Sequence, residues 1–244
     1  MIAPYLPDGL EIELRGEAIS RGYLDMTVGV MRAFGAQTEI AGNVIWVSPG
    51  VYQGVNFAVE PDASSASYPS AATAITGGRL TIEGLNRNSL QRDVEFFDVL
   101  SQMGCEVRQQ PDGISIRRDM GKPLHGVTVD MSQISDCVPT LAVVALFADS
   151  PTKISGVGFI RAKESDRIGD LALELRKLGA QIDEHDDGFT VTPVVMHGAS
   201  LATHDDHRLA MAFAIAKLRI KSIEVQNPEV VSKSWPNYFR DLDS

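Results

Sequence analysis

Five residues in the second half of the sequence have side chains suited to holding and protonating an anion. Lys163, Glu164 and Arg167 share one short segment, and Arg208 and Lys233 follow further along the chain. Guanidinium groups bind phosphate and carboxylate through two parallel hydrogen bonds. A carboxylate among such cations can move a proton if burial and nearby charges tune its pKa. We therefore predict one site that binds and reacts a small, multiply anionic substrate.

The first three of these residues lie between a predicted strand and a predicted amphipathic helix. The strand ends near Val157, and we expect the helix to begin around Ser165. A helix N-terminus presents free backbone N–H groups and the positive end of a dipole, which together attract anions. Lys163 and Arg167 are four residues apart and should point to the same side. The alternative is that this segment only caps the helix and forms surface ion pairs.

Other polar residues lie at equivalent junctions. The segment His204–Arg208 directly precedes the helical pattern HRLAMAFAIAKL, and Lys233 precedes the short helical pattern PNYFRDL. Asp136 opens the apolar helix DCVPTLAVVALFA, where we expect it to cap the helix alongside any functional role. Ser20 and Tyr23 lie where the strand pattern LEIELRGE gives way to a helix. If one unit is repeated along the chain, such junctions are brought together.

A repeat is visible as an amphipathic helix that ends in glycine and is followed by two short strands. The helix-ending glycines are Gly35, Gly104 and Gly179, at intervals of 104 − 35 = 69 and 179 − 104 = 75 residues. Glycine closes helices because it adopts the left-handed conformation easily. With the strand and helix that precede it, the unit reads β-α-β-α-β-β. The sequence therefore predicts an α/β (α+β) fold whose most apolar helices are buried inside it.

Both ends of the repeat pattern are incomplete. Only the second half of a unit precedes residues 51–55, which contain the predicted boundary between two parts. We expect residues 1–55 to be the last half unit of one domain and residues 56–244 to form a second domain. The last unit of that second domain lacks its final two strands.

Composition limits the possible partners and locations. The chain of 244 residues is 44% hydrophobic, and its formal net charge is −10. Nucleic acids and anionic membrane surfaces require a basic field, so neither is a predicted partner. Cys105 and Cys137 have no metal-ligand or disulfide pattern, and His204 and His207 lack neighbouring Cys or Glu, so we predict no metal. No export signal or bilayer-spanning apolar run is present, which favours a cytoplasmic protein.

These motifs, in this order, resemble the 5-enolpyruvylshikimate-3-phosphate (EPSP) synthases of the enolpyruvyl transferase family. The matching stretches are Ser20-x-x-Tyr23, Asp62-Ala63-Ser64-Ser65-Ala66-Ser67-Tyr68, Arg87-Asn88-Ser89, Asp136, Arg161-x-Lys163-Glu164-x-Asp166-Arg167, Asp206-His207-Arg208 and Lys233-x-x-Pro236-x-Tyr238. The resemblance implies two domains of β-α-β-α-β-β units, with helices inside and sheets outside. It also implies transfer of the enolpyruvyl group of phosphoenolpyruvate to the 5-hydroxyl of shikimate 3-phosphate, without any cofactor.

The resemblance implies roles for residues at the matching positions. Glu164 would deliver a proton to the methylene carbon of phosphoenolpyruvate and later remove it. Asp136 and Lys163 would bind the attacking 5-hydroxyl and take part in its proton transfer. The resemblance implies no other catalytic residue in this sequence.

The remaining matching positions are implied substrate contacts. Arg167, Arg208 and Lys233 would hold the phosphate and carboxylate of phosphoenolpyruvate. Ser20 would bind the 3-phosphate of shikimate 3-phosphate, and Tyr23 would pack near its ring. Lys163 and Asp136 would also contact substrate.

The sequence departs from the family pattern in places. Phe159 stands where some members have an asparagine that contacts shikimate 3-phosphate, and Pro69 lies inside a predicted helix, where it could displace the first turn. The N-terminal motifs of the family are missing, so we expect only the C-terminal part of the enzyme. That part would need the missing half, supplied by a separate chain. The alternatives are a non-catalytic anion-binding module and a transferase for UDP-N-acetylglucosamine, although the stretch beginning at Asp62 favours shikimate.

Overall fold

The computed structural model describes residues 1–16 and 19–243. These residues form two compact units. The first contains Met1–Glu60 and Asn88–Arg92, and the second contains Pro61–Arg87 and the chain from Asp93 onward. Assignment of the predicted segments 1–55 and 56–244 to two domains of the family stays a prediction.

The first unit is a small antiparallel sheet with one helix. Its elements are β1 (Leu10–Glu13), α1 (Arg21–Ala33), β2 (Thr38–Ala41) and β3 (Val44–Val47), and β3 lies between β1 and β2. Val28 and Met31 of α1 pack with Ile45 and Val47 of β3. Gly35 follows α1 with φ +87°, the left-handed conformation expected of a helix-ending glycine.

The second unit begins with an antiparallel sheet and two helices. These elements are α2 (Ala63–Thr76), β4 (Gly78–Glu83), α3 (Phe96–Gln102), β5 (Glu106–Gln110) and β6 (Gly113–Arg118). The strand order is β4-β6-β5. Ile114 and Ile116 of β6 are fully buried, because alternate residues of a strand face the core.

A mixed sheet follows. Its elements are β7 (Thr128–Asp130), α4 (Val138–Ala145), β8 (Thr152–Ser155), α5 (Gly169–Lys177), β9 (Gln181–His185) and β10 (Gly188–Thr192). The strand order is β7-β8-β10-β9, and only the β7 and β8 pair is parallel. A parallel pair needs a crossover, and α4 provides it. This is the complete β-α-β-α-β-β unit that the repeat predicted.

The last part of the chain forms the first four of the six elements of such a unit. Its elements are β11 (Ser200–Leu201), α6 (His207–Lys217), β12 (Glu224–Val225) and α7 (Tyr238–Leu242). The strands β11 and β12 pair in parallel, as β7 and β8 do. Up to Asp243, where the description ends, no further strand follows, as the incomplete repeat predicted.

The most apolar helices lie inside the second unit. Helices α2, α4 and α6 pack on one another, and every residue of α4 is buried. Alternate alanines in α6, such as Ala212 and Ala214, let neighbouring helices approach closely. The sheets lie outside these helices, so the predicted fold class is confirmed.

Helix α2 runs uninterrupted through Pro69, and its first turn is not displaced. The side chain of Asp62 caps the helix by accepting a hydrogen bond from the backbone N–H of Ser65. Pro69 lacks the N–H that would bond to the preceding turn, but its fixed φ is compatible with a helix. Among the described residues, no helix is both long and apolar enough to cross a membrane.

The prediction that a helix begins around Ser165 is wrong, because α5 begins at Gly169. A 3-10 turn over Gly158–Ala162 comes first, and a loop leads from it to the helix. Asp166 sets the start of α5, since its carboxylate accepts from the backbone N–H groups of Ile168 and Gly169. The amides that we expected to attract an anion are therefore occupied by a side chain of the protein.

Replacing Asp166 with alanine should lower the free energy of unfolding by about 1–2 kcal/mol, since capping side chains contribute that much. Urea unfolding followed by circular dichroism measures the change. Asp183→Ala is the matched control, because Asp183 is an exposed residue of β9. A loss no larger than that of the control would show that Asp166 does not hold α5.

Candidate active site

Four segments of the second unit bring charged side chains into one network. Asp136 lies in the 3-10 turn Ser135–Cys137 before α4. The loop before α5 carries Lys163, Glu164 and Arg167, the first turn of α6 carries Arg208, and the 3-10 turn Pro228–Lys233 ends at Lys233. Each of the six lies near the start of a helix, and each contacts at least one other member.

Asp136 receives three cationic side chains. Its Oδ1 atom lies 2.9 Å from Nη1 of Arg167 and 3.3 Å from Nζ of Lys163. Its Oδ2 atom lies 2.8 Å from Nη2 of Arg208. The expected capping role is wrong, because the N-cap residue of α4 is Cys137. The carboxylate of Asp136 instead joins cations from two separate helix starts.

Arg167 is completely buried and is held by carboxylates on several sides. Its Nε donates to Oδ2 of Asp206 at 2.7 Å, and its Nη2 donates to Oε2 of Glu164 at 2.7 Å. Its Nη1 bonds to Asp136. A guanidinium removed from water is strongly destabilising unless charged partners satisfy it, which explains why these carboxylates surround it.

Asp206 belongs to the matching stretch Asp206-His207-Arg208, but no separate role was predicted for it. It does cap α6, since it accepts from the backbone N–H of Arg208 at 2.8 Å. It is also fully buried, and it accepts from Arg167 and from the hydroxyl of Ser165 at 3.0 Å. Asp206 is therefore a seventh member of the network.

Glu164 is shared between two cations. Nζ of Lys233 lies 2.7 Å from Oε1, and Arg167 occupies Oε2. Partial burial raises the pKa of Glu164, but the hydrogen bond from Lys233 and the charge of Arg167 outweigh it. The net effect lowers the pKa from 4.5 to about 2. Glu164 is therefore ionised at neutral pH in this state.

The network is almost neutral. With Asp206 included, the network contains four cations and three carboxylates among the described residues, so its formal charge is 4 − 3 = +1. Side-chain exposure falls from 60% at Lys233 through 29% at Lys163 and 15% at Arg208 to 1% at Arg167. An incoming anion would meet Lys233, Lys163 and Arg208 first, and it must compete with carboxylates already bound there.

Ser20 and Tyr23 belong to the first unit. Ser20 precedes α1 with a left-handed φ of +54°, and Tyr23 is 42% exposed. Their predicted contacts with shikimate 3-phosphate stay a prediction. Phe159 of the second unit packs, partly buried, against the main core. It fills apolar space there and offers no polar group in place of the asparagine.

His204 and His207 have separate protein partners in the structure. Nε2 of His204 lies 3.0 Å from Glu174, whereas Nδ1 of His207 lies 3.8 Å from Asp206. The two histidines thus face different carboxylates. Within residues 1–16 and 19–243, no group of three or more potential ligands is arranged to hold a metal.

Asp93 is a further buried carboxylate near the network, and sequence reasoning gave it no role. Asp93 accepts a hydrogen bond from the hydroxyl of Ser64 in α2. Burial raises the pKa of Asp93 to about 6, the hydroxyl of Ser64 opposes that rise, and the charge of Asp136 adds to it. The sequence signal that could have led to Asp93 is the stretch beginning at Asp62, because it contains Ser64. That stretch was used only as a motif of the family.

Asp206→Asn should destabilise the second unit by about 3 kcal/mol, because it leaves the buried charge of Arg167 short of a partner. Asparagine retains the capping geometry, so loss of charge dominates the effect. Asp205→Asn is the control, since Asp205 is exposed and asparagine tolerates its left-handed φ of +57°. Equal stabilities of the two variants in urea would contradict this account of Arg167.

Lys233→Ala should raise the pKa of Glu164 from about 2 towards its ordinary value of 4.5, because the strongest lowering contact is lost. In the unaltered chain the pair stabilises the fold above about pH 4.5, and that contribution disappears as the pH falls through about 2. Carbon-13 NMR titration of the Glu164 carboxyl measures the shift. Lys221→Ala, which removes an exposed lysine, should leave the pKa unchanged.

Comparison with known proteins gives a consistent result. A family model described as EPSP synthase (3-phosphoshikimate 1-carboxyvinyltransferase) matches residues 1–242. The chain is 42% identical to the 3-phosphoshikimate 1-carboxyvinyltransferase of Methanosphaerula palustris and 43% identical to that of Methanoculleus marisnigri. In both alignments 99% of this chain covers 57% of the relative. The chain thus spans little more than half the length of these curated relatives.

Solved structures agree. An EPSP synthase from Acinetobacter baumannii superposes with a TM-score of 0.78 at 27% identity, over 95% of this chain and 55% of that one. The enolpyruvyl transferase NikO from Streptomyces tendae superposes with a TM-score of 0.73 at 25% identity, over 98% and 56%. The charged network therefore lies in a fold shared with enolpyruvyl transferases, and the chain belongs to the EPSP synthase family.

Proposed function

We propose that this chain carries the phosphoenolpyruvate-binding part of an enzyme that transfers the enolpyruvyl group to the 5-hydroxyl of shikimate 3-phosphate. The single observation that carries the proposal is the position of Glu164, a potential proton carrier held between Lys233 and Arg167. The names of the relatives favour shikimate 3-phosphate over UDP-N-acetylglucosamine as the acceptor.

Binding of phosphoenolpyruvate would proceed by exchange of partners. Lys233, whose side chain is 60% exposed, and Arg208, whose side chain is 15% exposed, would meet the substrate's phosphate and carboxylate. Once Glu164 turns away, Nη2 of Arg167 becomes available to the same anion. Guanidinium geometry suits both anionic groups of the substrate, and it fixes their orientation.

The same exchange would prepare Glu164 for proton transfer. Its pKa of about 2 in the ligand-free state makes it a poor proton donor at neutral pH. When Lys233 and Arg167 move to the substrate, two of the interactions that lower the pKa of Glu164 are lost, while partial burial still raises it. Binding of the anion would thus bring Glu164 closer to the range in which a general acid works.

The chemistry then follows from the two acid–base groups. A carbon–oxygen bond forms between the 5-hydroxyl oxygen and C2 of phosphoenolpyruvate, and the methylene carbon takes a proton from Glu164. The carboxylate of Asp136 would accept the hydroxyl proton, and the ammonium group of Lys163, 3.3 Å from it, would bind the hydroxyl oxygen. The proton on Asp136 would later pass to the departing phosphate. Return of the methyl proton to Glu164 re-forms the double bond as phosphate leaves.

The chain matches little more than half the length of its relatives, so the proposal includes a second part of the enzyme. Residues 1–55 would be the last half unit of the N-terminal domain, with Ser20 and Tyr23 binding shikimate 3-phosphate. Residues 56–244 would form the C-terminal domain. The part that the longer relatives have and this chain lacks would come from a separate chain, and the reaction would take place in the cytoplasm without a cofactor.

When it is given both phosphoenolpyruvate and shikimate 3-phosphate, the chain should release the phosphate of phosphoenolpyruvate only after the missing N-terminal part is added. Glu164→Gln should then reduce kcat by at least about 100-fold, because removal of a general acid has effects of that size. Glu229→Gln, which alters an exposed glutamate, should leave kcat unchanged.

Two outcomes would contradict the proposal. Full activity of the chain alone would show that the other part is not needed. Calorimetric binding of phosphoenolpyruvate without turnover, even after the N-terminal part is added, would instead identify a non-catalytic anion-binding module.

A further inference from the structure

Tyr68 lies beside the charged network, and among the described residues its hydroxyl and Nδ1 of His207 are buried there without a hydrogen-bond partner. Tyr68 lies in the middle of α2 and is 0% exposed. Its hydroxyl makes no hydrogen bond of ordinary geometry with any described residue. A buried, unsatisfied hydroxyl typically costs about 1–3 kcal/mol, so its presence needs an explanation.

The other hydroxyls of the helix show that this is not a general feature of α2. All residues of α2 are described, and every serine and threonine among them makes a hydrogen bond, namely Ser64, Ser65, Ser67, Ser70, Thr73 and Thr76. Most of them bond to a nearby carbonyl of their own helix. Only Tyr68, whose hydroxyl is carried away from the backbone by a ring, is unsatisfied.

The surroundings of Tyr68 fix its ring and direct its hydroxyl. The ring packs edge-on against Tyr238 at a centroid distance of 5.7 Å, and the hydroxyl of Tyr238 bonds to the carbonyl of Met211 in α6. The guanidinium of Arg208 lies close enough that its charge and a contact outside ordinary hydrogen-bond geometry both oppose the rise in pKa that burial causes at Tyr68. The hydroxyl therefore points towards a cation of the network.

Arg208 is committed elsewhere in the ligand-free state. Its Nη2 donates to Oδ2 of Asp136 at 2.8 Å, and its side chain is only 15% exposed. If Arg208 turns from Asp136 towards an anion, its remaining N–H groups need a new acceptor. The hydroxyl oxygen of Tyr68 is available there, and a guanidinium has five N–H groups to share.

We propose that Tyr68 is a positioning residue that holds Arg208 in its anion-binding orientation, accepting an N–H of Arg208 when the anion is bound. The unsatisfied hydroxyl is then a property of the ligand-free state alone. This inference rests on the proposed function, because phosphoenolpyruvate is the anion used to test it.

The test compares Tyr68→Phe with Tyr238→Phe in the full chain. Phenylalanine fills the space of either ring, so both changes remove only a hydroxyl. Tyr68→Phe should leave the Tm unchanged or raise it by about 2 °C, since it removes an unsatisfied group. Tyr238→Phe should lower the Tm by about 2–4 °C, since it leaves the carbonyl of Met211 without its partner.

Affinity should change in the opposite sense. Isothermal titration with phosphoenolpyruvate should show that Tyr68→Phe weakens binding about tenfold, as expected for a hydrogen bond to a charged group. Tyr238→Phe should leave affinity unchanged. In an Arg208→Lys background, Tyr68→Phe should add little further loss, because the two side chains act as one unit.

Each remaining outcome decides the matter. Unchanged affinity of Tyr68→Phe, with binding by the unaltered chain intact, would overturn the role of Tyr68 and leave the proposed function standing. Weaker binding together with a Tm as low as that of Tyr238→Phe would show a purely structural effect and also overturn it. If the unaltered chain does not bind phosphoenolpyruvate at all, the proposed function fails, and the role of Tyr68 fails with it.

Discussion

The buried guanidinium of Arg167 is the constraint on which the rest of the site depends. A charge that is removed from water this completely persists only if carboxylates surround it with good geometry. Asp206 at the start of α6, Asp136 before α4 and Glu164 on the same loop meet that need. Because these carboxylates come from different segments, satisfying one side chain fixes the relative positions of the helix starts.

The order of elements in the second unit could be predicted from sequence because it depends on local signals. Helical periodicity, alternation in strands and the glycines after helices repeat at similar intervals, and each signal acts over only a few residues. The structure shows the complete unit between β7 and β10. The same repetition explains why residues scattered from Asp136 to Lys233 could be expected near one another.

The local details of the site could not be predicted in the same way, because they depend on competition between partners. Asp166 fills the amides at the start of α5, which a sequence pattern would assign to a substrate anion. Asp136 looks like a helix cap in sequence, but three cations from distant segments claim its oxygens. A single aspartate can satisfy several donors, and only the folded arrangement determines which donors it meets.

This competition also decides what the network can do. In a protein with a formal net charge of −10, four clustered cations would be a strong attractor for any anion if they were free. Here each cation is already bound to a carboxylate. The free energy of anion binding is therefore only the difference between the ion pairs that form and the ion pairs that break. That difference is small where the pairs are exposed. Binding of the anion would also change the protonation of Glu164. Its low pKa depends on Lys233 and Arg167, which the anion would bind instead. If Glu164 is the proton carrier that we propose, such a site has a lower affinity for the anion, but the pKa of its acid rises when the anion arrives.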